Sequence, residues 1–358
     1  MQRKDPVDAL RKKIDQVDTR IVDLLNQRAT FAQKIGHVKN LENRSIYVAT
    51  RERAVLQRLS NLSPGPLPAQ AIRAVYREIL SACRSIEAPM TVAYLGPEAT
   101  FTHMAAQQQF GSSVKFLPAP TIAEVFNEVS QGRVDYGVVP IENSTEGVVT
   151  HTLDLLVDSE SRICAEVRVD IELHLLSRSG RPKDVARILS HPHALAQCRR
   201  WLSSHYPNAP VEEVTSTAQA AKTALSNRSV AAVSSPLAKD VYGLALVHAG
   251  IADNANNITR FFVIGDKKQE PTGEDKTTVV FSVKDEVGVL HRMLAPFSRS
   301  KINLTKIESR PSKRKAWEYL FFLDFNGHVE EPTVAHALKK LGENCNFLKV
   351  LGSYPCSL

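Results

Sequence analysis

An unbroken helical repeat over residues 7–39 constrains this chain more than any other feature. Leu10, Ile14, Val17, Ile21, Leu24, Leu25, Phe31, Ile35 and Val38 recur at helical spacing, with no proline and no glycine before Gly36. At about 100° per residue they fill one arc; Arg28 and Lys39 fall near its centre and Arg11 at its edge. A cation on a buried stripe costs several kcal/mol unless an anion meets it. Two readings stay open from the residues alone: the cations snorkel or pair with acids of the protein, or they frame a buried site for a multiply anionic ligand. A helix of this length spans ~50 Å, well beyond a compact domain of ~90 residues. A second copy of the chain is therefore expected to cover the stripe, making a homodimer or a higher homo-oligomer.

The chain has 358 residues, 43% hydrophobic and 23% charged, enough for two or three ordinary domains. No apolar run approaches a membrane span, and Met1-Gln2-Arg3-Lys4-Asp5 lacks the apolar core of a signal peptide. Cys83, Cys164, Cys198, Cys345 and Cys356 are odd in number and far apart, which argues against a disulfide framework or zinc knuckle. A cytoplasmic protein is expected. The net charge of +7 is spread among acids, so small anionic ligands suit it and nucleic acid is not indicated. His191-Pro192-His193 lacks further ligands at suitable spacing, and neither a metal nor a cofactor is expected.

A second helix is expected over residues 47–62, carrying Arg51-Glu52, and a third over 69–87 beyond the proline-rich break at 63–68. Ile72, Tyr76, Ile79 and Cys83 mark the apolar face of the third, and Glu87 lies on that face four residues beyond Cys83. On the plainest reading such an acid is a salt-bridge partner for the cations of the first helix. Residues 7–87 also resemble the all-helical class of chorismate mutase, through Arg11, Arg28, Lys39, Arg51, Glu52, Cys83 and Glu87. Val48 stands where some members have Asp, Cys83 where Ser is usual, and Glu87 where some have Gln. The resemblance implies a three-helix domain in an intertwined dimer that rearranges chorismate to prephenate without a nucleophile. Arg11 and Arg28 would grip the two carboxylates, one of them from the partner chain. Lys39 and a protonated Glu87 would donate to the breaking ether oxygen.

From Thr91 to about Gly265 short β-rich runs alternate with helical stretches, as in an α/β domain. The runs cover residues 91–95, 136–139, 169–176, 230–233 and 261–264. Polar loops follow several of them, at 96–101, 140–145 and 215–217, where ligands bind in open α/β sheets; singly, such loops also serve as helix caps. Together the loops resemble prephenate dehydratase: Tyr94-Leu95-Gly96-Pro97 with Thr100-Phe101, Val139-Pro140-Ile141-Glu142-Asn143-Ser144 with Gly147, Ser190-His191-Pro192 with Gln197-Cys198, Ser216-Thr217-Ala218, and Asn257-Ile258-Thr259-Arg260-Phe261. Ala99 replaces a usual Gly and His193 a usual Gln. The family's fold is two lobes about a cleft, like the periplasmic binding proteins. The resemblance places Thr259 at the departing hydroxyl of prephenate as donor or relay, with Asn143, Ser144, Gln197 and Thr217 orienting the substrate and Thr100 and Phe261 beside it. Arg260 either holds a carboxylate or makes a structural ion pair.

Residues 266–276 read as a polar linker with Pro271 and Gly273. The remainder gives strand, helix, strand, strand, helix, strand at 277–283, 288–299, 302–309, 317–325, 333–341 and 347–351, the ferredoxin-like βαββαβ order. It resembles the ACT regulatory domain, which in dehydratases binds phenylalanine at a dimer interface. Gly288-Val289-Leu290, where Gly-Ala-Leu is usual, and Glu308-Ser309-Arg310-Pro311 carry the resemblance and are the implied effector site. The expectation is a multidomain protein: all-α three-helix residues 1–89, α/β two-lobed residues 90–266 and α+β residues 276–358. The resemblances imply an isomerase and a lyase of phenylalanine synthesis on one chain. The rival is a non-catalytic metabolite sensor whose two-lobed domain signals through the ACT domain.

Overall fold

The computed structural model describes residues 6–42, 47–254, 256–283, 286–312 and 319–357, the side chain of residue 40 apart. It divides into two compact units, Met1–Met90 with Phe110–Lys115, and Thr91–Gln109 with Phe116–Leu358. The first is built on α1 (Pro6–Leu41), α2 (Ala49–Asn61) and α3 (Ala69–Glu87). Both α1 and α2 pack on α3. Gly36 permits a close approach of α1 to α3, since a Cβ there would lie 2.2 Å from Cγ of Glu87. Within one chain the stripe of α1 is bare: Leu10 is 59% exposed and Phe31 63%. Val48 sits at the N-cap of α2 in the extended backbone a cap requires, yet offers no side-chain acceptor. Val48→Asp supplies one and is expected to raise the stability of this unit by ~1 kcal/mol, read from the denaturant midpoint.

The second unit begins with a lobe of β1 (Thr91–Leu95), α4 (Phe101–Phe110), β2 (Lys115–Ala119), α5 (Ile122–Ser130), β3 (Tyr136–Asn143), β4 (Gly147–Val148), α6 (Thr150–Asp158) and β5 (Arg162–Asp170). A second lobe follows: β6 (His174–Ser177), β7 (Arg187–Ser190), α7 (Pro192–Gln197), α8 (Arg199–His205), β8 (Val211–Glu213), α9 (Thr217–Ser226), β9 (Val230–Ser234), α10 (Pro236–Tyr242) and β10 (Ala245–His248). The chain then returns as β11 (Ile258–Gly265) to the first lobe, whose sheet runs β2-β1-β3-β11-β5 with β4 beside β3; the second sheet runs β10-β6-β9-β7-β8. The apolar run at 169–176 is thus two strands in different sheets. Its alternation continues through residues 171–173 because Ile171 and Leu173 are buried at the crossing between lobes.

The last region is β12 (Asp275–Ser282), α11 (Val289–Arg299), β13 (Leu304–Pro311), β14 (Tyr319–Asn326), α12 (Pro332–Gly342) and β15 (Phe347–Pro355), in the sheet order β13-β14-β12-β15. Trp317, expected to open a strand, lies outside the described residues. One face of this sheet packs on α11 and α12 through Val279, Phe281, Leu323 and Phe325. Val280, Phe322, Leu351 and Tyr354 on the other face share a core with Ile163, Phe262 and Ile264 of the first lobe. The linker reading therefore fails at its end: Asp275 and Lys276 open β12 and are buried, because the polar stretch enters a sheet covered on both faces.

Candidate functional site

The two lobes enclose a cleft of about 690 Å³, with Thr100, Asn143, Thr259 and Phe261 on one side and Gln197 and Thr217 on the other. Residues of β11 alternate between its faces, so Thr259 and Phe261 share the cleft wall and Arg260 points away. The register pairs Thr259 with Asn143 across β11 and β3. Asn143 Oδ1 accepts the backbone N–H groups of Thr145 and Glu146 at 2.9 and 3.0 Å. Its amide nitrogen therefore faces the other way and donates to Thr259 Oγ1 at 2.8 Å and to Asn257 Oδ1 at 2.7 Å. Asn257 in turn donates to Gln197 Oε1 at 2.8 Å, carrying the network to the second lobe. With Asn143 supplying a proton to its oxygen, Thr259 keeps its own O–H for a partner in the cleft.

Glu146 and His193 meet across the cleft at 3.1 Å, so the histidine that replaces a usual glutamine finds an acid. Burial, then the charge of His193, holds the neighbouring His191 below the usual imidazole range. No lysine or arginine lines the cleft among the described residues; its polar wall is hydroxyls, amides, histidines, the Glu146 carboxylate and the N-terminus of α9 at Thr217. Ala99, in the loop that carries Thr100, has φ of 66° and is buried. Its left-handed backbone costs ~1–2 kcal/mol, and a packed methyl offsets roughly 0.8 kcal/mol of that.

Two expected cleft residues lie elsewhere. Ser144 bonds the backbone of β11: its hydroxyl accepts the Ile258 N–H at 3.0 Å and its own N–H donates to the Ile258 carbonyl at 2.9 Å. Arg260 is buried on the opposite face, with Nε 2.7 Å from Glu166, Nη1 2.5 Å from Asp324 and Nη2 3.0 Å from the Tyr354 hydroxyl. Of the two readings of Arg260, the geometry fits the structural ion pair.

In the helical unit Lys39 Nζ lies 3.3 Å from Glu87, whose side chain is only 8% exposed. Arg84 binds Glu52 at 2.6 Å and the Phe110 carbonyl at 2.5 Å, with its guanidinium over the ring of Tyr47. Burial pushes the Glu52 carboxyl up, against the opposing pull of Arg84, Lys39 and Arg28. Lys39, Glu52 and Glu87 thus gather at one end of α1, where Cys83 is buried. Arg51 is exposed on α2, and Arg11 is exposed with Asp8 at 3.3 Å. Arg11 stands ~42 Å along α1 from Lys39, too far to join that cluster within one chain.

In the third region Gly288 takes φ of 75° ahead of α11, and Val289 packs into the helix-side core. Ser309 pairs with Phe321 on that same face. Glu308 and Arg310 point to the other face, paired with Phe322 and Leu320. Arg310 is held there by Asp154 at 3.1 Å.

Family models match in the same order: Chorismate mutase type II over residues 10–88, Prephenate dehydratase over 92–269 and the ACT domain over 277–343. The bifunctional chorismate mutase/prephenate dehydratase of Aquifex aeolicus is 49% identical over 98% of this chain and 98% of its own. This chain belongs to the bifunctional chorismate mutase/prephenate dehydratase family. The member from Pseudomonas aeruginosa is 44% identical over 99% of both chains. Among solved structures, prephenate dehydratase from Arthrobacter aurescens in complex with L-Phe covers 74% of this chain and 90% of its own, at 37% identity and a TM-score of 0.69.

Within this family framework the sequence reading missed Arg84, which holds Glu52. Arg84 falls one residue after Cys83, off the apolar positions expected for α3, so periodicity marks it as a surface residue. It missed Lys306 as well, which lies 2.7 Å from Glu142. No local sequence pattern marks Lys306, since Leu304-Thr305-Lys306-Ile307-Glu308 does not alternate apolar with polar.

Proposed function

We propose that this chain rearranges chorismate to prephenate in its helical unit and converts prephenate to phenylpyruvate in the two-lobed cleft, with phenylalanine as effector of the ACT domain. The observation that carries the reading is Thr259: Asn143 occupies its oxygen, and its proton is left for the substrate. Prephenate loses carbon dioxide from its ring carboxylate and, with uptake of one proton, its ring hydroxyl as water; aromatisation drives both. An aliphatic hydroxyl is a weak acid, so Thr259 acts as a hydrogen-bond donor to the departing oxygen. A cleft lined by no lysine or arginine among the described residues suits the other half of the reaction, since an unpaired carboxylate gives up carbon dioxide more readily than one stabilised by a cation. The side-chain carboxylate is best met by the N-terminus of α9.

The mutase reaction is intramolecular and needs a compact conformer and donors at the ether oxygen. Lys39 and Glu87 are the pair assigned to that oxygen. Arg28 and a partner chain's Arg11 fit the two carboxylates, because Arg11 cannot reach its own chain's cluster. A homodimer sharing the exposed α1 stripe supplies both the cover and the missing arginine. The cysteine thiols suit a reducing cytoplasm. A non-catalytic sensor is not favoured, since full-length relatives are named as bifunctional enzymes.

Incubating the purified protein with chorismate tests the proposal: prephenate is expected first and phenylpyruvate after it, and no turnover of either substrate would leave the sensor standing. Glu87 gives a finer test. A neutral amide at this position can donate to the ether oxygen and a methyl group cannot, so Glu87→Gln is expected to keep mutase activity and Glu87→Ala to lose it. Equal loss in both folded variants would return Glu87 to a simple partner of Lys39.

A further inference from the structure

The effector strand β13 carries a bulge between Leu304 and Lys306. Before it, Leu304 packs on the helix-side core; after it, Lys306, Glu308 and Arg310 turn to the dehydratase face. Lys306 Nζ reaches Glu142 Oε2 at 2.7 Å. Arg310 donates to the Thr150 carbonyl and takes both oxygens of Asp154, at 3.1 and 3.2 Å. Glu142 immediately precedes, and Thr150 immediately follows, residues 143–149. In that segment Asn143, Glu146, Gly147, Val148 and Val149 line the cleft. Resting on phenylalanine regulation as read above, we propose that Lys306 and Arg310 are positioning residues for the dehydratase, fastening both ends of the substrate loop to the effector strand.

The two cations are four residues apart on a strand, so they hold the loop ends at a spacing of ~13 Å set by a stiff backbone. Their side chains are 15% and 12% exposed, unlike the solvated pairs that contribute little. Asn143, which orients Thr259, is the residue after Glu142, and Arg260 approaches the same carboxylate at 3.9 Å. Ser309 lies on the helix-side face of β13, and Lys306 on the other. A ligand at Ser309 that shifts β13 therefore moves the loop and with it the donor geometry at Thr259. The ligand need not touch the cleft. Coupling of this kind is a difference in effector affinity between two loop positions, and it disappears when the fastening does.

The test uses the full chain. Dehydratase kinetics with prephenate are measured with and without phenylalanine for wild type, Lys306→Met and Lys306→Arg, and phenylalanine binding to each is followed by calorimetry. Lys306→Met keeps the length of the side chain and removes its charge. Its prephenate KM is expected to rise by roughly 5-fold, with kcat changed less. Its inhibitory phenylalanine concentration should rise by about 5-fold or more, while calorimetric affinity for phenylalanine stays within about 2-fold of wild type. Lys306→Arg should restore both kinetic properties. Wild-type values of KM and inhibition in a folded Lys306→Met would overturn the inference, and so would failure of Lys306→Arg to rescue. If the wild type neither binds phenylalanine nor is inhibited by it, the regulatory reading falls separately. KM then decides the clamp: a raised KM supports it and an unchanged one overturns it.

Discussion

Thr259→Val is expected to lower dehydratase turnover by roughly 10²-fold or more while leaving the mutase near its normal rate. Valine preserves the volume and branching of threonine, so the packing of β11 is retained. What disappears is the one O–H that the proposed mechanism directs to the departing hydroxyl. Asn143 keeps its other hydrogen on Asn257 and its oxygen on the two backbone N–H groups, so the surrounding amides stay in place. The loss should therefore fall on kcat rather than KM, because the donor matters most as charge develops on oxygen. Steady-state conversion of prephenate to phenylpyruvate, with chorismate consumption as the control, reads both. Undiminished conversion removes Thr259 from the mechanism.

Arg260→Met is expected to be a stability variant. The guanidinium is buried between Glu166, Asp324 and Tyr354, and Lys276 reaches Glu166 at 2.7 Å. Removing the arginine leaves buried carboxylates short of a partner, at a cost of ~3–5 kcal/mol. Urea denaturation should show that loss, with prephenate KM little altered in the protein that remains folded. A normal denaturation midpoint with a raised KM would instead restore Arg260 as a carboxylate ligand. The network also predicts a pH dependence. Burial alone would raise the Glu166 carboxyl, but Arg260, Lys276 and the Ser357 N–H overcome it and hold the group below its usual value of 4.5. A depressed folded value means the network stabilises the fold above about pH 4.5 and ceases to as pH falls through the folded value. The wild-type midpoint should drop in that acid window by more than that of Arg260→Met.

The helix of residues 7–39 is readable because nine apolar side chains repeat at one period, and local pattern is what forms a helix. Its cover is not readable in the same way, since a stripe says what must be buried and not what buries it. Strand parity explains the mixed fate of the motif around Thr259: adjacent letters in a strand face opposite ways, so Thr259 and Phe261 reach the cleft and Arg260 reaches the ACT domain. Ser144 looks like a ligand in sequence because a serine after a strand commonly caps or binds, and here it satisfies the backbone of β11. The run at 169–176 kept its alternation through a crossing between sheets, and Asp275 and Lys276 read as linker because charge usually marks solvent. Both errors come from long-range burial that no local window contains. The bulge in β13 is of the same kind: it turns Lys306 and Arg310 toward the dehydratase without changing the letters around them.

Two separate sites on one chain are the central claim, and one measurement tests it most directly: time courses of prephenate and phenylpyruvate from chorismate and from prephenate, for wild type, Glu87→Ala and Thr259→Val. Wild type should carry chorismate through to phenylpyruvate. Thr259→Val should stop at prephenate and accumulate it. Glu87→Ala should leave chorismate largely untouched yet convert added prephenate at the wild-type rate. Loss of both conversions in either folded variant would contradict two independent sites.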